Sequence, residues 1–351
     1  MRNRFGITVG VLFAATQLFW IIAPAAAQTA SGKTFKIPRM ADGHPNLEGI
    51  YDLATITPVE RPAGVKAALT KEEATKDEAA RAKQRADRDR PIDGNRAAPP
   101  KGGRVGGYNA GWLDPGSTYT VVDGQKRTSL VIDPPDGRIP PFTAEAQARG
   151  AGRGRLTADA PESNDPGLDP TPGAYDDPER RPLGERCILG FGSTSGPPAL
   201  PDYFYNNLHQ IVQTPDTIVI QSEMVHDARI IRMNAQHLPT SFRRWMGDSV
   251  GHWEGDTLVI DTTNFTDKTR FRGSTENLHV VERLTRVDDR SLLYRFTVED
   301  PQTWARPWTG EYTWPATGAP IYEYACHEAN YALGDILRGA RERDRESATK
   351  P

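Results

Sequence analysis

From Leu200 onward the chain alternates apolar and polar residues with a period of two, as strands do when their faces meet different surroundings. The run HQIVQTPDTIVIQSEMVHDARIIRM, residues 209–233, reads as strand, Thr-Pro-Asp turn, strand, and a continuing or bent strand. SVGHWEGDTLVIDTTNF, LHVVERLTRVDDRSLLYRFTVED and ARPWTGEYTWP with APIYEYACHE each read as a hairpin. Their tips are Glu254-Gly255-Asp256, Asp288-Asp289 and a Gly/Pro segment. Consecutive hairpins build an antiparallel meander, and closing it as a barrel or stacking it as a sandwich removes its exposed edges. The predicted fold class is therefore mainly β. A helix from about Glu328 onward, with Leu333, Ile336 and Ala340 on one face, covers an open end.

The pattern before Leu200 is weaker. A short strand is predicted near residues 49–55, between Leu47 and the stop at Pro58. Residues 70–90 then change character: the 20 residues after Thr70 carry seven positive and six negative charges, and their only apolar residues are alanines. Thr70 with Glu73 forms a capping box, and Glu72/Lys76 and Asp77/Arg81 are favourable pairs four apart, so a solvated, weakly docked helix is expected. Leu130 and Ile132 mark a strand, DPPDG a turn, and Thr143 the cap of a short helix. Gly, Pro and charge dominate residues 91–111 and 150–182, which read as loops.

The first 27 residues have a different layout. Arg2 and Arg4 precede an apolar run that ends in Ala25-Ala26-Ala27, as in a secretory signal peptide. Residues 28–351 then form a single β-rich domain with no membrane span, in a periplasmic or secreted location. Losing two positive charges takes the formal charge from −3 to −5, which argues against nucleic acid as a partner. Export also bears on Cys187 and Cys326, because an oxidising compartment lets two thiols pair and persist. A disulfide, worth at most about 5 kcal/mol for so long a loop, and two buried free thiols are both open.

GHPNLEGIYDLATITPVERP, YNNLHQIVQTPD, EMVHDARII, RWMGDSVGHWEGDTLVIDTTNFTD, ENLHVVERLTR and EYACHEANY together resemble an uncharacterised family of exported bacterial proteins. The resemblance spans roughly residues 43–340 and implies one continuous exported unit. Gly49-Ile50-Tyr51 stands where lipocalin-type barrels begin their first strand with Gly-x-Trp, and implies a lipocalin-like barrel by fold analogy.

Strand parity selects the chemistry. His226 has the phase of Ile218, Ile220, Met224, Ala228 and Ile230, so it is expected to face the apolar interior, with Asp227 and Arg229 on the opposite, mixed face. Glu282 has the phase of Leu278, Val280 and Leu284, and is also directed inward. A buried carboxylate is costly unless paired, so one solution is a core ion pair with Arg229 or Arg283. The functional solution is a raised-pKa carboxyl acting with His226 as acid and base, while Arg229 or Tyr205 stabilises developing charge. In VGHWEGDTLVIDTTNF, turn chemistry accounts for Asp256 and strand termination for Asn264, leaving His252 and Asp261 as site candidates. Tyr203, Tyr205, Asn206 and Asn207 form a candidate aromatic and amide wall. His327 and Glu328 sit at the strand-to-helix junction, where Glu328 also suits a helix start.

The seven histidines show no His-x-His or His-Glu-x-x-His spacing, so no metal or other cofactor is expected. His226, His279 and His327 meet only if tertiary folding brings them together. GFGSTSG, residues 190–196, matches neither a nucleophile elbow nor a phosphate loop. The residues thus predict an exported small-molecule enzyme of isomerase, lyase or hydratase type, transferring protons in an apolar barrel pocket. His226, Glu282 and Arg229 are its catalytic candidates, and Tyr205, Asn207, Asp261, His252 and His327 its binding candidates. A non-catalytic periplasmic binding protein for an aromatic or lipid-like ligand is the alternative. An envelope-associated domain using its charged helix as a contact is the third reading.

Overall fold

The computed structural model describes residues 35–88, 95, 97, 113–149, 173–193, 195–202, 205–328 and 330–349. The expected signal segment, most of the two expected loop regions and Tyr203 lie outside these residues. In chain order the elements are β1 (Gly49–Asp52), β2 (Ala68–Leu69), α1 (Lys71–Arg88), β3 (Val121–Val122), β4 (Gln125–Arg127), β5 (Val131–Asp133) and α2 (Ala144–Ala148). There follow β6 (Leu208–Gln213), β7 (Thr217–Ser222), β8 (Ala228–Met233), β9 (Asp248–Glu254), β10 (Thr257–Thr263), β11 (His279–Arg286), β12 (Ser291–Glu299), β13 (Trp308–Pro315) and α3 (Tyr331–Ala348).

Ten strands form one curled sheet in the order β1-β6-β7-β8-β9-β10-β11-β12-β13-β5, and β2-β4-β3 form a small second sheet. Fold class is therefore mainly β, with a half-barrel in place of the closed barrel expected. Closure stops short because β1 meets β13 only beyond the strand's end, through the bridge Tyr51–Ala316 and the Thr317 N–H donating to Ile50 O at 2.9 Å. The far edge is taken by β5, whose pairing with β13 is interrupted by a register shift at Thr309/Gly310.

The meander also needs one correction: β8 and β9 are parallel. Parallel neighbours cannot be joined by a tight turn, so residues 234–247 cross over the outside of the sheet between them. Elsewhere the hairpins hold. Thr257 pairs with Glu254 across Gly255-Asp256, and Gly255 supplies the positive φ of +59° that this tight turn requires. Asp256 was expected to bind turn amides, but its carboxylate instead pairs with Arg39 at 2.9 Å.

Local signals at the helices behave as their chemistry dictates. Thr70 N–H donates to Glu73 Oε2 at 2.8 Å and Glu73 N–H to Thr70 Oγ1 at 3.2 Å, a reciprocal capping box. The Thr143 hydroxyl accepts from Ala146 N–H at 3.0 Å and starts α2. α1 is more firmly docked than its composition implies: Ala74 is fully buried, Tyr119 donates to Asp77 at 2.7 Å, and Glu78 pairs with Lys126. The Cys187–Cys326 disulfide is formed, with its Cα atoms 5.7 Å apart.

Inside the curl lie the largest fully buried side chains among the described residues, including Trp304, Trp308, Trp314, Tyr51, Tyr294 and Phe296. Tyr294 sits at the centre, its ring 4.5 Å from Trp314, 5.5 Å from Phe296 and, edge-on, 5.6 Å from Tyr312. Gly310 faces Phe296 across the β12–β13 ladder, and an added Cβ would fall well inside contact distance of that ring. Gly310→Ala is accordingly expected to destabilise the fold by about 1–3 kcal/mol through overpacking. The midpoint of urea unfolding measures this, and an unchanged midpoint would contradict the packing described.

Candidate functional site

The expected His226/Glu282 pair does not assemble. Glu282 is fully buried as its parity predicted, but it meets Arg229. The guanidinium grips it in bidentate fashion, with Nη1 on Oε2 and Nη2 on Oε1 at 2.9 Å, while the Tyr294 hydroxyl donates to Oε1 at 2.7 Å. Burial alone would lower the Arg229 pKa, and the Glu282 charge more than reverses this. Tyr294 also receives the Ala199 N–H at 2.9 Å, so the network is closed on itself. Arg283, the other partner considered, pairs with Glu254 at the surface. The core ion pair thus describes Glu282 and Arg229.

The reversal of His226 and Arg229 has a local cause. Residues 224–226 form a single 3-10 turn in which Val225 (φ 58°) and His226 (φ 45°) are left-handed, an unusual conformation for a β-branched residue. That turn breaks the alternation carried from β7. In β8 it is Arg229, Ile231 and Met233 that face inward, and Ile230 is 58% exposed. His226 is left exposed, and its Nδ1–H donates to Tyr324 O at 3.0 Å. Next to it, half-buried Asp227 has its carboxyl pushed up to about 7 by burial, with the His226 charge acting against the shift.

The other expected residues are dispersed among separate jobs. Asn207 is buried and structural: Oδ1 accepts from Asp202 N–H at 2.7 Å, and Nδ2 donates to Asp114 O at 2.9 Å. Tyr205 stacks on Tyr324 with centroids 6.3 Å apart. His252 is exposed and pairs with Glu254 at 3.2 Å. His327 and Glu328 are exposed and precede α3, whose N-cap is Asn330. His209 is fully buried and held down to about 4 by burial, so it is a neutral core residue packed near Trp314.

Only Asp261 leads to a convergent set. It lies on β10 facing outward, and its carboxylate receives two imidazoles, His237 Nε2 at 2.9 Å on Oδ1 and His279 Nε2 at 3.0 Å on Oδ2. His279 lies two residues before Val281, the cross-strand partner of Asp261, and so shares its face. His237 arrives from the 234–247 crossover. Its Nδ1 is 3.1 Å from Asp248 Oδ2, and Asp248 is anchored in turn by Leu238 N–H at 2.8 Å and by Arg232 at 2.9 Å. At the other end, His279 Nδ1 is 3.8 Å from Glu299, beyond hydrogen-bond length.

Electrostatics follow from this chain of alternating charges. Burial would raise the Asp261 carboxyl, but the hydrogen bonds from His279 and His237 outweigh it and hold it below its ordinary range. Asp248 is likewise lowered, with Leu238 N–H, His237 and Arg232 overcoming burial. The His279 imidazole is raised, chiefly by its hydrogen bond to Asp261 and against partial burial. Asp261 and His279 are each 35% exposed and His237 29%, so solvent and solutes reach all three. Sequence reasoning found Asp261 and noticed His279, but it missed His237 and Asp248. Nothing in NAQHLPTSF marks its histidine locally, and a crossover loop next to a paired carboxylate was the one available signal.

Among the described residues, no group of three or more His, Cys, Asp or Glu is arranged to hold a metal ion. Comparison of the chain with family models, curated proteins and solved structures finds no match.

Two outcomes are expected. Glu282→Ala strands the Arg229 charge in the core and costs about 3–5 kcal/mol, whereas the double change Arg229→Met with Glu282→Leu restores most of that loss; denaturation midpoints of the three proteins decide it. For the surface chain, Asp261→Asn lowers the His279 pKa toward its ordinary value, read by NMR titration of the ring. Because the native imidazole titrates above its unfolded value, its stabilising contribution is complete at low pH and fades as pH rises through the native value. The variant therefore loses more stability at pH 6 than at pH 9, and equal losses at the two pH values would contradict the coupling.

Proposed function

We propose that this chain is an exported enzyme that moves protons on a small molecule, as an isomerase, lyase or hydratase does, and that it works on the outer face of the half-barrel. His279 is the acid/base. One nitrogen, Nε2, is anchored on Asp261, and the other, Nδ1, lies 3.8 Å from Glu299 Oε2. An imidazole with one nitrogen fixed by a carboxylate has a set ring orientation and a strengthened basicity, and its second nitrogen is directed at whatever binds there. The single observation that carries the reading is the Asp261 carboxylate shared by two half-exposed imidazoles at 2.9 and 3.0 Å.

Each neighbour has a role in that arrangement. Asp261 is a positioning residue, and His237 holds it ionised from the far side. Asp248 and Arg232 lock His237 by a buried carboxylate and a guanidinium, so the donor set does not rearrange as protons move. This replaces the interior pocket and the His226/Glu282 pair as the seat of chemistry, because the surroundings of Glu282 are filled by Arg229 and aromatic rings. The export half of the reading draws on Arg2, Arg4 and the apolar run to Ala27, and on the likeness to exported bacterial proteins. The disulfide supports it too, since such bonds persist in oxidising compartments.

Proton exchange tests this without a known substrate. The purified protein is incubated in deuterated buffer with a panel of small carbonyl and α,β-unsaturated compounds, and deuterium uptake is followed by NMR. Uptake on at least one compound should exceed the buffer rate and rise with pH as His279 loses its proton. His279→Gln and Asp261→Asn should each reduce it by about 100-fold or more. Uptake that is the same in both variants and in the parent chain would remove the proposal.

A further inference from the structure

Away from the Asp261 chain, a groove of about 380 Å3 opens between three pieces of backbone: residues 184–191, the segment 323–326, and the first turns of α3. Its chemistry is of two kinds. Phe191, Tyr324, Leu333 and Ile336 line it with rings and aliphatic chains, while Glu185 and Glu323 contribute carboxylates. Among the described residues, no Lys, Arg or His lines it. Glu185 is already neutralised by Arg181 at 2.9 Å, and exposed Glu323 has no ion-pair partner among the described residues. Gly184 allows the Phe191 ring to press against the main chain, since a Cβ there would clash with it.

The wall formed by residues 322–326 belongs to no strand or helix, and side chains from elsewhere set its position. Glu223 Oε1 accepts the Tyr322 N–H at 2.9 Å, His226 donates to Tyr324 O at 3.0 Å, and Tyr205 stacks on the Tyr324 ring. The Cys187–Cys326 disulfide joins this wall directly to the 184–191 wall, and both half-cystines line the groove. The left-handed turn at Val225 and His226, which inverts the phase of β8, also aims His226 at the strap.

We propose that this groove is a binding site for a flat aromatic amine, held between Phe191 and Tyr324 with its cation toward Glu323, and that the disulfide keeps its two walls together. Aromatic faces attract cations as well as rings, and a lone carboxylate at the rim selects for positive charge. The site is separate from the proton-transfer chain and stands or falls independently of it.

Calorimetric titration of the full chain with tryptamine, indole and indole-3-acetate tests the assignment. Tryptamine is expected to bind best, indole about tenfold more weakly, and indole-3-acetate weaker still. Glu323→Gln should bring tryptamine down to the level of indole without affecting indole itself, and Tyr324→Ala should weaken both by about tenfold or more. Reduction with dithiothreitol should also weaken tryptamine by about tenfold, with the circular dichroism of the sheet unchanged. Cys326→Ser repeats that comparison without reductant. Undetectable tryptamine binding at millimolar concentration, equal affinity for the amine and the acid, or affinity indifferent to Glu323→Gln, Tyr324→Ala and reduction would each overturn the proposal.

Discussion

A full negative charge inside an aromatic core is tolerable only if it is met on all sides, and Glu282 shows how this chain meets it. Arg229 neutralises it through two parallel hydrogen bonds, and Tyr294 adds a third from the adjacent strand β12. Arg229 can reach Glu282 only if β8 presents odd-numbered residues inward, the opposite of the phase carried through β7. The chain obtains that phase by spending one 3-10 turn with two left-handed residues between the strands. Such conformations cost on the order of 1–3 kcal/mol each, comparable to or smaller than leaving either member of the pair alone. The strain at Val225 and His226 and the buried ion pair are thus two ends of one arrangement.

That arrangement also shapes the outer surface. Once β8 is turned over, Arg232 stands at the edge of β9 within reach of Asp248, and the parallel β8–β9 pairing obliges the chain to cross over the sheet through residues 234–247. The crossover sets His237 between Asp248 and Asp261. The half-barrel therefore has a dry polar centre, satisfied and inert, and a wet polar chain outside, where the imidazoles retain access to solvent. Chemistry favours the second. A closed network such as Glu282–Arg229–Tyr294 gives specificity to a core but offers no proton to a solute, whereas His279 has one nitrogen held by Asp261 and a side chain that is 35% exposed.

Perturbed ionisation alone would have pointed elsewhere. Burial pushes the Asp227 carboxyl up to about 7 and holds the His209 imidazole down to about 4. Neither belongs to a convergent set: His209 is enclosed by the core, and among the described residues the charged neighbour of Asp227 is His226. His279 is displaced because of a specific partner at 3.0 Å, and a shift with a partner behind it is the better guide to a site than one made by burial alone.

Much of this was legible in the sequence wherever the cause was local. Thr70 with Glu73 announced a capped helix, Gly255-Asp256 a tight hairpin, and the period of β10 and β11 placed Glu282 inward and set Asp261, partly enclosed, on the face opposite Leu258 and Ile260, because each of these depends on residues a few positions apart. The Cys187–Cys326 bond was one of two readings, since two cysteines in a chain do not declare whether their backbones approach. What only the tertiary structure decided was the inversion at His226, which one irregular turn imposes on the residues of β8. It also decided the identity of the partner to Glu282, chosen between two arginines, and the arrival of His237 beside Asp261. Strand alternation is a phase, and a phase is preserved only while the strand is regular. Contacts across 24 or 53 positions depend on how strands are ordered in space, and the local pattern carries no record of that order.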